Sequence, residues 1–186
     1  MPDDPVPTGW MSRSNEHATA FLRNHEERMR SFMHAATSMQ LGRVILPYHY
    51  DVLSVAADFL AAGKPDVAVI MAQTACEIAT EAVISQLLRH YNLPAVVEKW
   101  IRKRIDQLST FHRAPLYELY RDLSGDDFKG SRLWREWDNH ITIRNNVAHR
   151  GTHATPDQAK RYCEIALDVI HHFESVLARV TAERRI

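Results

Sequence analysis

Two ionisable side chains near the end of one helical stretch have types suited to chemistry: Arg144 and His149, within Ile141-Thr-Ile-Arg-Asn-Asn-Val-Ala-His-Arg-Gly151. An imidazole titrates near neutrality, so His149 can take or give a proton at physiological pH. A guanidinium stays charged and grips phosphate or carboxylate through two parallel donors. The pair therefore suits reactions at phosphate, with one group moving protons and the other holding an anion. Ile141 and Trp137 precede Arg144 by three and seven residues and Ala148 follows by four, so Arg144 leaves its helix on or beside the apolar stripe. A charge placed there needs a carboxylate, a phosphate or a wet interface. Glu77 or Glu81 would complete a purely structural ion pair. Asn145 and His149 are four apart and share a face, whereas Arg144 and His149 lie about 140° apart around an ideal helix.

Other candidate groups are sparser. The run Lys99-Trp-Ile-Arg-Lys-Arg104 is basic and carries an aromatic ring, which makes Lys99, Arg102 and Lys103 either a phosphate track or a solvated face. His171 and His172 are adjacent on a helix and point about 100° apart, too divergent for one ion. HExxH, paired Cys/His ligand spacing, the P-loop, GxGxxG and GxSxG are all missing from the sequence. Protease, nucleotide-hydrolase, dehydrogenase and esterase chemistry therefore lack their parts, and no metal or cofactor is expected. Cys76 and Cys163 have no CxxC partner and fall in helical patterns, which suits small apolar core roles in a reducing compartment.

The elements that must position these residues read as helices. Residues 1 to 13 hold three prolines and no period, so they form an N-terminal arm, and residues 14 to 46 carry a Met- and Phe-striped helical extension ahead of Pro47. Tyr50, Leu53, Ala56, Ala57 and Leu60 outline a helix stopped by Gly63, and Pro65 opens a long Ala-rich one over 66–91. After the Asn92-Leu-Pro94 break comes a helix with Lys99 to Arg104 on its basic face, then a short helix after Pro115 and a turn-rich loop from Ser124 to Gly130. Ser131 caps the next helix, which Gly151 ends; Thr155-Pro-Asp-Gln158 is a capping box that starts the last. No segment alternates with period two, so the expected class is all-α, an antiparallel bundle over 47–186.

Residues 144–149, Arg-Asn-Asn-Val-Ala-His, resemble the R-x4-6-H signature of HEPN domains, in which a polar residue often follows the Arg, as Asn145 does here. The layout is similar too: a helical bundle, a long Ala-rich helix with a central Glu (Ala75-Cys-Glu77-Ile-Ala-Thr-Glu81), the motif late in the chain and a final amphipathic helix. The resemblance implies a homodimer whose motif helices meet at a two-fold axis and form one cleft with two Arg and two His. It implies a metal-independent endoribonuclease that leaves 2′,3′-cyclic phosphate and 5′-hydroxyl ends, as a toxin or antiviral defence effector. In that scheme His149 takes the proton of a ribose 2′-OH or protonates the leaving 5′-oxygen, and Arg144 holds the scissile phosphate. Asn145 orients His149 or binds a phosphate oxygen, Asn146 and Glu77 support the site, and Arg150, His153, Lys99, Arg102 and Lys103 contact RNA. An antitoxin or other regulatory protein is a possible partner. The Tyr that stands two residues after the motif His in members silenced by nucleotidylation is Gly151 here. The alternative is a non-catalytic HEPN bundle that binds nucleotide, nucleic acid or a protein.

Charge narrows the choice of partners. With 23 Lys and Arg against 23 Asp and Glu, the formal net charge is +0, which excludes a broad, sequence-indifferent nucleic-acid binder. A composite cleft needs few cations and a dimer supplies each twice, so positive potential is expected near the two-fold axis, with Asp126, Asp127, Glu136 and Asp138 distributed elsewhere. No basic n-region precedes an apolar run and no uninterrupted apolar stretch is long enough for a membrane span, so a cytoplasmic chain is expected.

Overall fold

The computed structural model describes residues 47–94, 96, 97, 99, 101, 103, 111 and 114–183, and these are helical with no strand. The arm over 1–13, the extension over 14–46 and half of the basic run, including Arg102, lie outside the described residues. Helix α1 spans Tyr48–Ala61 and α2 spans Pro65–His90. Gly63, at φ +70°, makes the left-handed turn between them, a conformation that costs a residue with a Cβ more than it costs glycine. Pro65 sits in the first turn of α2, where its missing N–H is not needed. Helix α3 spans Ala114–Ser124, a short 3-10 turn covers Phe128–Gly130, and α4 (Arg132–Arg150) and α5 (Pro156–Glu183) complete the chain.

Helix α2 is the central element, packed by α1, α5, α4 and α3. Ala68, Ala72, Ala75 and Ala79 are almost wholly buried along it, and such small side chains let neighbouring helices come close. The short links at 62–64 and 151–155 make α1 antiparallel to α2 and α4 antiparallel to α5. Helix α2 is long and apolar enough to cross a membrane by length and composition alone, but more than half of that stretch, 56%, is buried inside the bundle.

Between α3, α4 and α5 the core is aromatic. Phe111 lies against Trp137 at 6.0 Å and meets Phe173 edge-on at 5.2 Å, and Phe128 meets Phe173 at 5.1 Å. Tilted and edge-to-face pairs of this kind add about 0.5–1.5 kcal/mol beyond area burial. Trp137 is the only residue of α4 that is fully buried, so it is the point at which the motif helix enters the core.

Candidate functional site

Both ends of α4 are held by the local signals that its sequence carries. The Ser131 side chain accepts from the Trp134 backbone N–H at 3.0 Å. At the other end Gly151 adopts φ 65°, and the Asn146 carbonyl accepts from the N–H groups of Gly151 and Thr152. The helix is regular through Arg150, so the last turn does not fray to bring His149 beside Arg144. Within one chain the two leave α4 about 140° apart, as on an ideal helix.

Arg144 points toward the seam of α4 with α2 and α5. Burial pushes the Tyr162 phenol well above its ordinary range; Cys76 and Glu77 add to that shift and the charge of Arg144 opposes it. The guanidinium donates from Nη1 to Asn145 Oδ1 at 3.1 Å, and its Nε is buried with no hydrogen-bond partner. No ion pair within 4 Å joins Arg144 to Glu77 or Glu81 among the described residues. Glu77 instead accepts from Gln73 Nε2 at 3.0 Å, and Gln73 Oε1 accepts from Trp137 Nε1 at 3.1 Å and from the Tyr162 hydroxyl. Two donors on Oε1 leave Nε2 only the side on which Glu77 stands, so Glu77 is fixed by the amide and not by Arg144. The expectation that Glu77 supports the motif Arg directly is corrected accordingly. Of the two roles expected of Asn145, orienting the His149 of its own chain is corrected as well, since its side chain holds Arg144.

His149 and Arg150 are exposed at the helix end, while Asn146 is half-buried. His153, expected to contact RNA, is already engaged: its Nδ1 lies 2.7 Å from Asp66 Oδ2, and Asp66 Oδ1 accepts from the Ala154 N–H at 2.6 Å. These bonds tie the loop after the motif to the first turn of α2. With the capping box, in which Thr155 and Gln158 exchange side-chain-to-backbone bonds of 2.9 and 3.1 Å, they set the start of α5. The bond from His153, and then that from Ala154, hold the Asp66 carboxyl below its ordinary value of 3.8. The stabilisation is therefore complete above that value and is lost as pH falls through the lower folded one. Asp66→Ala should lower stability at pH 7 by about 1 kcal/mol and flatten the acid limb of urea midpoints measured from pH 5 to pH 2. An acid limb unchanged from wild type would refute the tie.

The remaining candidates are dispersed. Lys99 and Lys103 are exposed in helical conformation, with Ile101 between them packed on the core. Glu136 and Asp138 lie in the first half of the motif helix. Glu136 is neutralised locally, accepting from Arg132 Nε at 2.7 Å and Arg161 Nη2 at 2.6 Å. Asp126 accepts from the Tyr120 hydroxyl at 2.7 Å and lies 2.8 Å from His172 Nε2, pinning the turn-rich loop to α5. His171 faces the Tyr50 ring instead, 6.3 Å away, so the two histidines diverge as their spacing requires. Among the described residues no group of three His, Cys, Asp or Glu side chains is placed to hold a metal ion.

One group escapes a reading of the motif alone. His140 lies one turn before Arg144, its ring 4.9 Å from that of Tyr162, and its Nδ1 is buried without a partner. Its i,i+4 spacing from Arg144 is visible in the sequence, but it falls in a polar gap of the apolar pattern. The chain matches no protein-family model, no curated protein and no solved structure, so the HEPN resemblance rests on its own residues.

Proposed function

We propose that the chain is a metal-independent endoribonuclease of the HEPN type, acting as a homodimer with a composite cleft, in a toxin or antiviral defence role. The observation that carries this reading is the state of Arg144. Its Nε is buried without a partner, its Nη1 is tied to Asn145, and no carboxylate among the described residues pairs with it, so an incoming phosphate bound through the outer nitrogens would supply the missing anion. His149 stands exposed at the end of the same capped helix, turned away from its own Arg144. A second copy related by a two-fold axis is what would present an Arg and a His to one phosphate.

The chemistry then balances with two imidazoles. A neutral His149 takes the proton of the ribose 2′-OH as O2′ forms a bond to phosphorus. The partner subunit's His149, protonated, gives its proton to the departing 5′-oxygen. Arg144 stabilises the added negative charge on the pentacoordinate phosphorus. The products are a 2′,3′-cyclic phosphate and a 5′-hydroxyl. His149→Ala should reduce RNA cleavage in EDTA by roughly 10²–10⁴-fold, the range for losing a general acid or base. Intact RNA with the wild-type dimer, or undiminished cutting by the variant, would overturn the reading. The divergence of Arg144 and His149 within one chain favours, as a second reading, a bundle that binds RNA or nucleotide without cutting it.

A further inference from the structure

We infer that His140 and Arg144 together form the seat for one ribonucleotide phosphate, with His140 acting as a neutral phosphate-binding residue and not as a proton acceptor. The inference rests on the proposed function for the identity of its ligand and on the structure for its geometry.

The two side chains lie one turn apart on α4, about 40° around the helix, and both face the Tyr162 side of the bundle. Each has one nitrogen sealed inside without a partner, His140 Nδ1 and Arg144 Nε. Their other nitrogens differ: Arg144 Nη1 is held by Asn145, and Nη2 of Arg144 and Nε2 of His140 are not among the sealed, unpartnered atoms. Buried orphan groups are uncommon in folded proteins and mark places where function constrains the side chain.

The protonation state follows from the surroundings. Glu136 and Arg144 flank His140 on α4, Arg161 and Tyr162 face it from α5, and Gln73 and Glu77 stand behind Tyr162 on α2. Burial, and after it the charge of Arg161, holds the imidazole below its ordinary 6.5, while Glu136 pulls the other way. The ring is therefore neutral at pH 7. Among the described residues no acceptor meets an Nδ1–H, which places the single proton on Nε2, where a ligand can accept from it. A neutral Nε2–H has no lone pair to receive a proton. It can donate one hydrogen bond to a phosphate oxygen, next to the charged fork of Arg144.

The test is carbon-edited proton NMR of the imidazoles of the full chain, with uridine 3′-monophosphate as probe and inorganic phosphate as control. His140→Asn identifies the resonance. The nucleotide should shift the His140 Cε1–H signal and raise its titration midpoint, because a nearby phosphate favours the charged ring. His140→Asn should also raise the nucleotide Kd about threefold to tenfold, the range of one hydrogen bond. No binding, or a His140 signal unmoved at saturating nucleotide, overturns the inference. An equal response to inorganic phosphate at the same concentration overturns the ribonucleotide assignment. Cleavage is not needed for the readout: a chain that leaves RNA intact yet shifts His140 refutes the nuclease and keeps the phosphate seat.

Discussion

Mixing His149→Ala chains with an equal amount of wild-type chains, and letting the dimers exchange, should lower RNA cleavage to about a quarter of that of wild type at the same total concentration. The reason is the fixed last turn of α4, where Gly151 and the bonds to the Asn146 carbonyl keep the helix regular through Arg150. His149 therefore cannot swing to its own Arg144, and the proposed cleft takes its two imidazoles from different copies. A mixed dimer keeps only one of the two, the base or the acid. Random exchange leaves about a quarter of the dimers wholly wild type in a symmetric two-fold assembly. Activity that falls only to about a half would place the complete machinery in one chain's site and contradict the composite cleft. Loss of dimerisation is checked separately by the mass of each variant in solution.

Gln73→Leu should cost roughly 2–5 kcal/mol, a large share of the 5–15 kcal/mol that keeps a domain of this size folded. Gln73 is 4% exposed, and its Oε1 receives both Trp137 Nε1 and the Tyr162 hydroxyl. Leucine preserves the size of the side chain and removes the acceptor. Two donors, one on α4 and one on α5, then lose their common acceptor inside the core, and each such loss costs about 1–3 kcal/mol. Chemical denaturation followed by helical circular dichroism measures the loss. Trp137→Phe in the Gln73→Leu background separates the contributions, because it removes one of the two orphaned donors and should return part of the stability. A loss below about 1 kcal/mol would mean that water reaches these donors and that the amide is not their main partner.

The helix boundaries were legible because their causes are local. Thr155 and Gln158, Ser131, Gly63 and Gly151 act within three or four residues of themselves, and each behaves as its type and place require. The amide that joins three helices was not legible, since Gln73 meets Trp137 and Tyr162 across separations of 64 and 89 residues, and no short pattern encodes such a meeting. Asn145 shows a subtler limit. Neighbours on a helix do not ordinarily face each other, but the long Arg144 side chain folds back to reach it. The partners of Glu136 show both cases: Arg132 stands one turn before it on the same helix, whereas Arg161 reaches it from α5 across a separation of 25 residues. The HEPN reading itself stays where the motif residues put it, as a proposal.

Of the residues in α4, only Trp137 is fully sealed from solvent, whereas α2 and α5 bury side chains throughout their length. Opening α4 therefore unseals one indole, together with the half-buried Leu133, Trp134, Ile141, Ile143 and Val147, while the other long helices stay packed. Amides of the motif helix would exchange with solvent through that partial opening, ahead of those in α2. The helix that presents Arg144, His140 and His149 is thus held by less fully sealed surface than the bundle behind it.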